Sequence, residues 1–216
     1  MERAFGLEIP QTLEEVCQPQ HMALVVYDMQ VGIMSQLPDA APIIARVGET
    51  LQAARTGGYR VFFTRHLSLP RETMGAFAYR QAMAWQRVTS AEQVHPWFLR
   101  DAPGFQITPE LMPLPSEVVM DKITMSAFEG TFLNIALRDC GIRAFAIVGV
   151  ALEVGIGPTV LHGADLAYIP VVVTDACGGR DKPAMERTLA GLQFGGDALF
   201  TDVATLCSYM KRPQNT

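Results

Sequence analysis

Apolar runs separated by turn residues recur along the chain and define its organisation. Met22–Tyr27 (MALVVY) is continuously apolar and rich in β-branched residues, the pattern of a strand buried on both faces, and it stops at Asp28. Residues 42–56 carry Ile43, Ile44, Val47, Leu51 and Ala54 at helical spacing and close on Gly57 and Gly58. Residues 59–64 (YRVFFT) predict a second strand. Strand, helix and strand in this order make a βαβ unit, which implies a right-handed crossover and a parallel sheet.

The alternation continues to the end of the chain. Strands are expected at 117–120, 144–148, 169–174 and, more briefly, 197–202, giving about six in all, with helices at 130–140, 159–166 and 183–195. The helix at 130–140 is amphipathic through Leu133, Ile135, Ala136 and Leu137 and is stopped by Gly141. Residues 1–20 predict an irregular arm broken by Pro10 and Pro19. Residues 66–115 predict an irregular insertion dense in aromatic side chains (Phe77, Tyr79, Trp85, Trp97, Phe98, Phe105), suited to a lid or a binding segment.

Composition narrows the class. Of 216 residues, 49% are apolar and 18% charged, enough core for one domain over 1–216 and too few charges to cover all its surface, so a homo-oligomer is expected. Net charge is −5 and neither sign forms a run, which argues against a nucleic-acid partner. The sequence has no apolar stretch of about 18 residues and opens without an apolar leader core, so membrane spanning and secretion are not expected and a cytoplasmic location is. Cys17, Cys140, Cys177 and Cys207 are scattered without a CxxC pair, as expected of reduced thiols rather than of a disulfide framework or a zinc knuckle.

Candidate chemistry gathers at strand ends. Asp28, Arg65 with His66, Lys122, and the turn at 150–155 each follow a predicted strand. In an open parallel sheet those ends share one edge, where ligands bind. The last of these sites lies in AFAIVGVALEVGIG (144–157), a strand running through a glycine turn into a helix, whose first N–H groups lack internal partners.

Four blocks then carry a resemblance. ALVVYDMQ (23–30), DKITMSAFEGTFL (121–133), VGVALEVGIGPT (148–159) and VVVTDAC (171–177) stand in the order and spacing of the isochorismatase-like hydrolases, also called cysteine hydrolases, over roughly residues 22–205. This resemblance implies a three-layer α/β/α sandwich, assembly as dimers or tetramers, a small-molecule substrate and no cofactor. It puts Asp28 at the acid position and Lys122 at the lysine position of an Asp, Lys and Cys triad. At the cysteine position the sequence has Gly155, which closes the thiolate route. Cys177 follows a different strand, where the resembling motif is structural.

Isochorismatases with glycine at this turn cleave a vinyl ether and release pyruvate, which makes that the first expectation here, with Asp28 as general acid. Burial would raise the pKa of Asp28 and Lys122 would lower it. Hydrolysis of a small amide, with Asp28 as base for water, is the second expectation. An inactive homologue that binds a metabolite or a protein is the third. The resemblance also implies a cis peptide at Val150 and Ala151, with the amides of Ala151 and Gly155 facing an oxyanion.

Around this centre Arg65, His66, Trp85, Arg87, Phe128 and Glu153 are expected to contact substrate, with Arg87 or Arg80 as a carboxylate clamp and Glu153 inclined to a capping role. Phe77, Trp85 and Trp97, with Met74 and Met83, would form an apolar lid. A nicotinamidase-like zinc site is not expected, because residue 64 is Thr and no second His follows before His95.

Overall fold

The computed structural model describes residues 1–212; the last four residues of the expected 1–216 span lie outside them. Among the described residues are eight strands and eight α-helices, in chain order β1 Glu2–Ala4, β2 Leu7–Ile9, α1 Leu13–Val16, β3 Met22–Tyr27, α2 Val31–Met34, α3 Ala41–Thr56, β4 Arg60–His66, α4 Ala76–Gln86, β5 Val118–Lys122, α5 Leu133–Asp139, β6 Ala144–Val150, α6 Gly157–Asp165, β7 Ile169–Gly178, α7 Lys182–Gly195, β8 Leu199–Thr201 and α8 Val203–Met210. Six strands form one parallel sheet in the order β5-β4-β3-β6-β7-β8. The chain builds β3, β4 and β5 outward in one direction, then returns to β6 on the other side of β3. The switch point therefore lies between β3 and β6, paired from Met22 with Ala144 to Tyr27 with Gly149.

Side-chain alternation along β3 explains the three layers. Met22, Leu24 and Val26 face one way, into a core shared with Val47 and Leu51 of α3 and Leu206 and Met210 of α8. Ala23, Val25 and Tyr27 face the other way, against Leu133 and Leu137 of α5, Val160 of α6 and Leu192 of α7. Each such side chain contributes about 1.5–3 kcal/mol when fully buried, which anchors the central strands most firmly.

Several expectations change in detail. Residues 2–9 form an antiparallel hairpin instead of an irregular arm, its turn made by Phe5 and Gly6 at φ 52° and 78°. The insertion contains α4, an alanine-rich helix (AFAYRQAMAWQ) that its aromatic residues disguised; none of its residues is fully buried. The helix after the glycine turn begins earlier than expected, through a π-helical turn at Leu152–Ile156 that leads into α6. Helix α8, not anticipated, starts where Asp202 accepts the Thr205 N–H at 2.7 Å. Among the described residues no helix is long and apolar enough to cross a membrane.

Candidate active site

The C-terminal ends of β3, β4, β5 and β6 converge as strand order predicts. Asp28, one residue past β3, adopts the left-handed region at φ 47°, a conformation a non-glycine residue rarely takes. Its N–H donates to the Thr64 carbonyl and hydroxyl, both at 3.2 Å. The carboxylate is gripped at both oxygens: Oδ1 accepts from the Thr64 hydroxyl at 2.6 Å and Oδ2 from Lys122 Nζ at 2.7 Å. Asp28 is 4% exposed and Lys122 3%.

Lys122 also donates to the Thr124 carbonyl at 3.2 Å and sits 4.3 Å above the centre of the Tyr27 ring. Burial lowers its pKa, against which the Asp28 carboxylate acts. The Tyr27 hydroxyl donates to the Met125 carbonyl, and burial together with Asp28 raises its pKa well above the ordinary phenol range.

A cavity of about 210 Å3 opens over Asp28, walled by Tyr27, His66, Trp85, Trp97, Phe98 and Met125 and closed by the 150–155 turn. Lys122 lies behind Asp28 and outside the lining. His66 meets Trp85 and Phe98 edge-on at 6.3 and 6.0 Å, and its main chain is held by the side chain of Gln30, which accepts the His66 N–H at 2.6 Å and donates to its carbonyl at 3.1 Å. Burial, aided by the Lys122 charge, lowers the His66 pKa to about 4, so the imidazole is neutral near pH 7.

The turn differs from expectation at its amides. The Val150–Ala151 peptide is cis. The Gly155 N–H does not face an oxyanion: it donates to the Ala151 carbonyl at 2.9 Å, as the Ile156 N–H does at 3.1 Å. The donors left at the start of this helical segment are the N–H groups of Leu152, Glu153 and Val154. Glu153 lies in the cavity wall and anchors the next loop: its Oε1 accepts the N–H groups of Arg180 and Asp181 at 3.2 and 3.4 Å.

Other expected contacts fall elsewhere. Arg65 binds Asp121 at 2.8 Å and stacks 4.3 Å over Phe105, so it is turned away from the cavity. Phe128 packs in the core, its ring 5.5 Å from those of Phe145 and Tyr168, because α5 and α6 draw it beneath the sheet. Arg87 ends α4 at φ 54° and lines an adjoining trough, not the cavity over Asp28. Arg80 lines neither. Of the apolar lid, Trp85 and Trp97 reach the cavity, Phe77 and Met74 line a chamber beside it, and Met83 lines neither. Cys177 lies inside β7, fully buried, with its thiol pushed up to about 12.

Sequence reasoning missed Thr64, Gln30, Tyr27 and Arg180. The first three sit in or beside the quoted strand motifs but read there as strand filler. Arg180 gave no signal before the loop was in place: it lines both cavity and trough and has no acidic partner among the described residues.

The protein is a doubly wound parallel α/β sandwich with the Asp28–Lys122 ion pair at the sheet edge where open α/β folds bind their ligands. The sequence pattern of the isochorismatase domain matches residues 22–206, and the chain belongs to that family. It is 28% identical over 173 residues to the ureidoacrylate amidohydrolase RutB of Enterobacter sp. (strain 638), spanning 73% of this chain and 75% of that one. The protein of the same name from Pantoea ananatis is 29% identical over 180 residues, 73% of this chain and 69% of its own. A cysteine hydrolase from Pseudomonas syringae pv. phaseolicola superposes with a TM-score of 0.75 at 22% identity, covering 90% and 94% of the two chains, which establishes the shared fold.

Proposed function

We propose that the protein is a hydrolase that cleaves the C–N bond of a small amide or ureido acid, using water activated at Asp28. The observation that carries this reading is the Asp28 carboxylate at the cavity floor, with both oxygens held by donors, Thr64 and Lys122. A carboxylate in that setting is an acceptor, suited to taking a proton from water. The vinyl ether route would need the same group to donate one.

In the proposed reaction water attacks the substrate carbonyl carbon while its proton passes to Asp28. Negative charge develops on the carbonyl oxygen, and the N–H groups of residues 152–154 supply donors for it. The intermediate then expels the amine, which takes the proton from Asp28. Neutral His66 and the aromatic walls exclude bulk water from this step.

One lining side chain offers a partner to an acidic substrate. With His66 neutral and Lys122 behind Asp28, Arg180 is the positive side chain among those lining the cavity. A substrate carboxylate directed to the mouth meets that guanidinium. The similarity to two ureidoacrylate amidohydrolases, the RutB relatives, supports the same substrate class.

The test is ammonia release from ureidoacrylate and from 3-ureidopropionate, with Asp28→Asn beside the unmodified protein. Release abolished by Asp28→Asn is expected; release unaffected by it would overturn the role of Asp28. A second reading, vinyl ether hydrolysis, is favoured by the absence of a side-chain nucleophile at Gly155. Its measure is pyruvate released from isochorismate, and pyruvate without ammonia would select it.

A further inference from the structure

A cysteine lost from a working site leaves a hole; here the space beside Gly155 is filled. A Cβ built on Gly155 would collide with three atoms of Tyr27: the hydroxyl oxygen, Cε1 and Cζ. Tyr27 has little freedom to yield. It is 1% exposed, its ring lies beneath the Lys122 ammonium at 4.3 Å, and its hydroxyl is engaged with the Met125 carbonyl. The backbone of Gly155 is not in the left-handed region, so it is the ring, and not φ, that excludes a side chain.

We propose that Tyr27 is the positioning residue that commits this site to catalysis without a covalent intermediate. Resting on the hydrolase reading above, the inference is that Tyr27 and any side chain at residue 155 are mutually exclusive. The ring takes the volume a nucleophile would need and packs beneath Lys122. The hydroxyl engages the carbonyl of Met125, which lines the same cavity as the 150–155 turn. Asp28 remains open to the cavity beside Tyr27, so water is the group left to attack. The site is thus rebuilt around glycine, and restoring a cysteine alone does not restore thiol chemistry.

The pair is separable by a double-mutant cycle read without turnover. Gly155→Cys is made in three backgrounds, unmodified, Tyr27→Phe and Tyr27→Val, and each protein is melted and treated with iodoacetamide. Alkylation is followed by intact mass above the background set by half-buried Cys140. With Tyr27 or Tyr27→Phe, Gly155→Cys is expected to lower Tm by about 5 °C or more and the new thiol to react slowly, since ring carbons as well as the hydroxyl clash. With Tyr27→Val the Tm penalty is expected to vanish and alkylation to quicken by about tenfold or more, because the pocket reaches the thiol.

Equal penalties in all three backgrounds, or a Gly155→Cys protein as stable and as readily alkylated as the Tyr27→Val double variant, would overturn the inference. If no variant folds with Gly155→Cys, Gly155→Ala in the same backgrounds reads the same steric coupling by Tm. Absence of ammonia and pyruvate from the unmodified protein would defeat the hydrolase reading, whereas additive melting penalties would defeat the Tyr27 inference.

Discussion

Thr64 and Asp28 hold each other twice: the Thr64 hydroxyl donates to Oδ1 of Asp28 at 2.6 Å and accepts the Asp28 N–H at 3.2 Å. One side chain on β4 thereby fixes both the backbone twist and the carboxylate orientation of the residue after β3. Thr64→Val keeps the shape and removes both bonds. Stability is expected to fall by about 1–3 kcal/mol in urea melts, and kcat to fall more than KM rises, because an aligned carboxylate is what the reaction uses.

Breaking the Asp28–Lys122 pair strands a charge in the core. Lys122→Met is expected to cost about 3–5 kcal/mol in chemical denaturation. Adding Asp28→Asn recovers part of that loss, because the double variant leaves no carboxylate without its counter-ion. A double variant no more stable than Lys122→Met would show that the pair is not coupled as its 2.7 Å geometry indicates.

Acid reads the burial of His66. Its folded pKa, about 4, lies below the ordinary 6.5, so between those values the unfolded chain binds the extra proton. The contribution to stability is fully present above pH 6.5 and is lost as pH falls toward 4. Urea melts from pH 7 to 4.5 are expected to show this slope, and His66→Gln to flatten it.

Gly179 leaves room for the Glu153 carboxylate, and a Cβ there would strike it. Gly179→Ala is expected to lower stability by about 1–3 kcal/mol in thermal melts, as overpacking does. It should also displace the Arg180 and Asp181 amides that Glu153 holds. KM for an acidic substrate is then expected to rise in Gly179→Ala and likewise in Arg180→Gln, by about tenfold, with kcat little changed.

The strands of the sheet were legible because strands buried on both faces are continuously apolar, as Met22–Tyr27 and 144–148 are, whereas their order, and with it the switch point, emerged only in the fold. Asp28 and Lys122 were legible because they end such strands. What escaped depended on distance in space. Arg65 has the charge of a ligand-binding residue, but Asp121 on the neighbouring strand pairs with it. Phe128 follows Lys122 closely in sequence, yet core packing against Phe145 takes it away. The amide of Gly155 was misassigned because a π-helical turn, not a plain helix start, spends it on Ala151. Helix α4 was hidden by its aromatic residues, of which Trp85 faces the cavity and Phe77 the chamber beside it instead of a core.

That same α4 brings Trp85 to the cavity wall without burying any of its residues fully, whereas β3 is buried throughout. Local opening free energy tracks such burial. Backbone amides in 76–86 are therefore expected to exchange with solvent deuterium through local detachment of the helix, and those of β3 only when the sheet itself comes apart. Opening of the Trp85 wall and survival of the fold are thus expected to follow separate equilibria, the first responding at denaturant concentrations too low to melt the sheet.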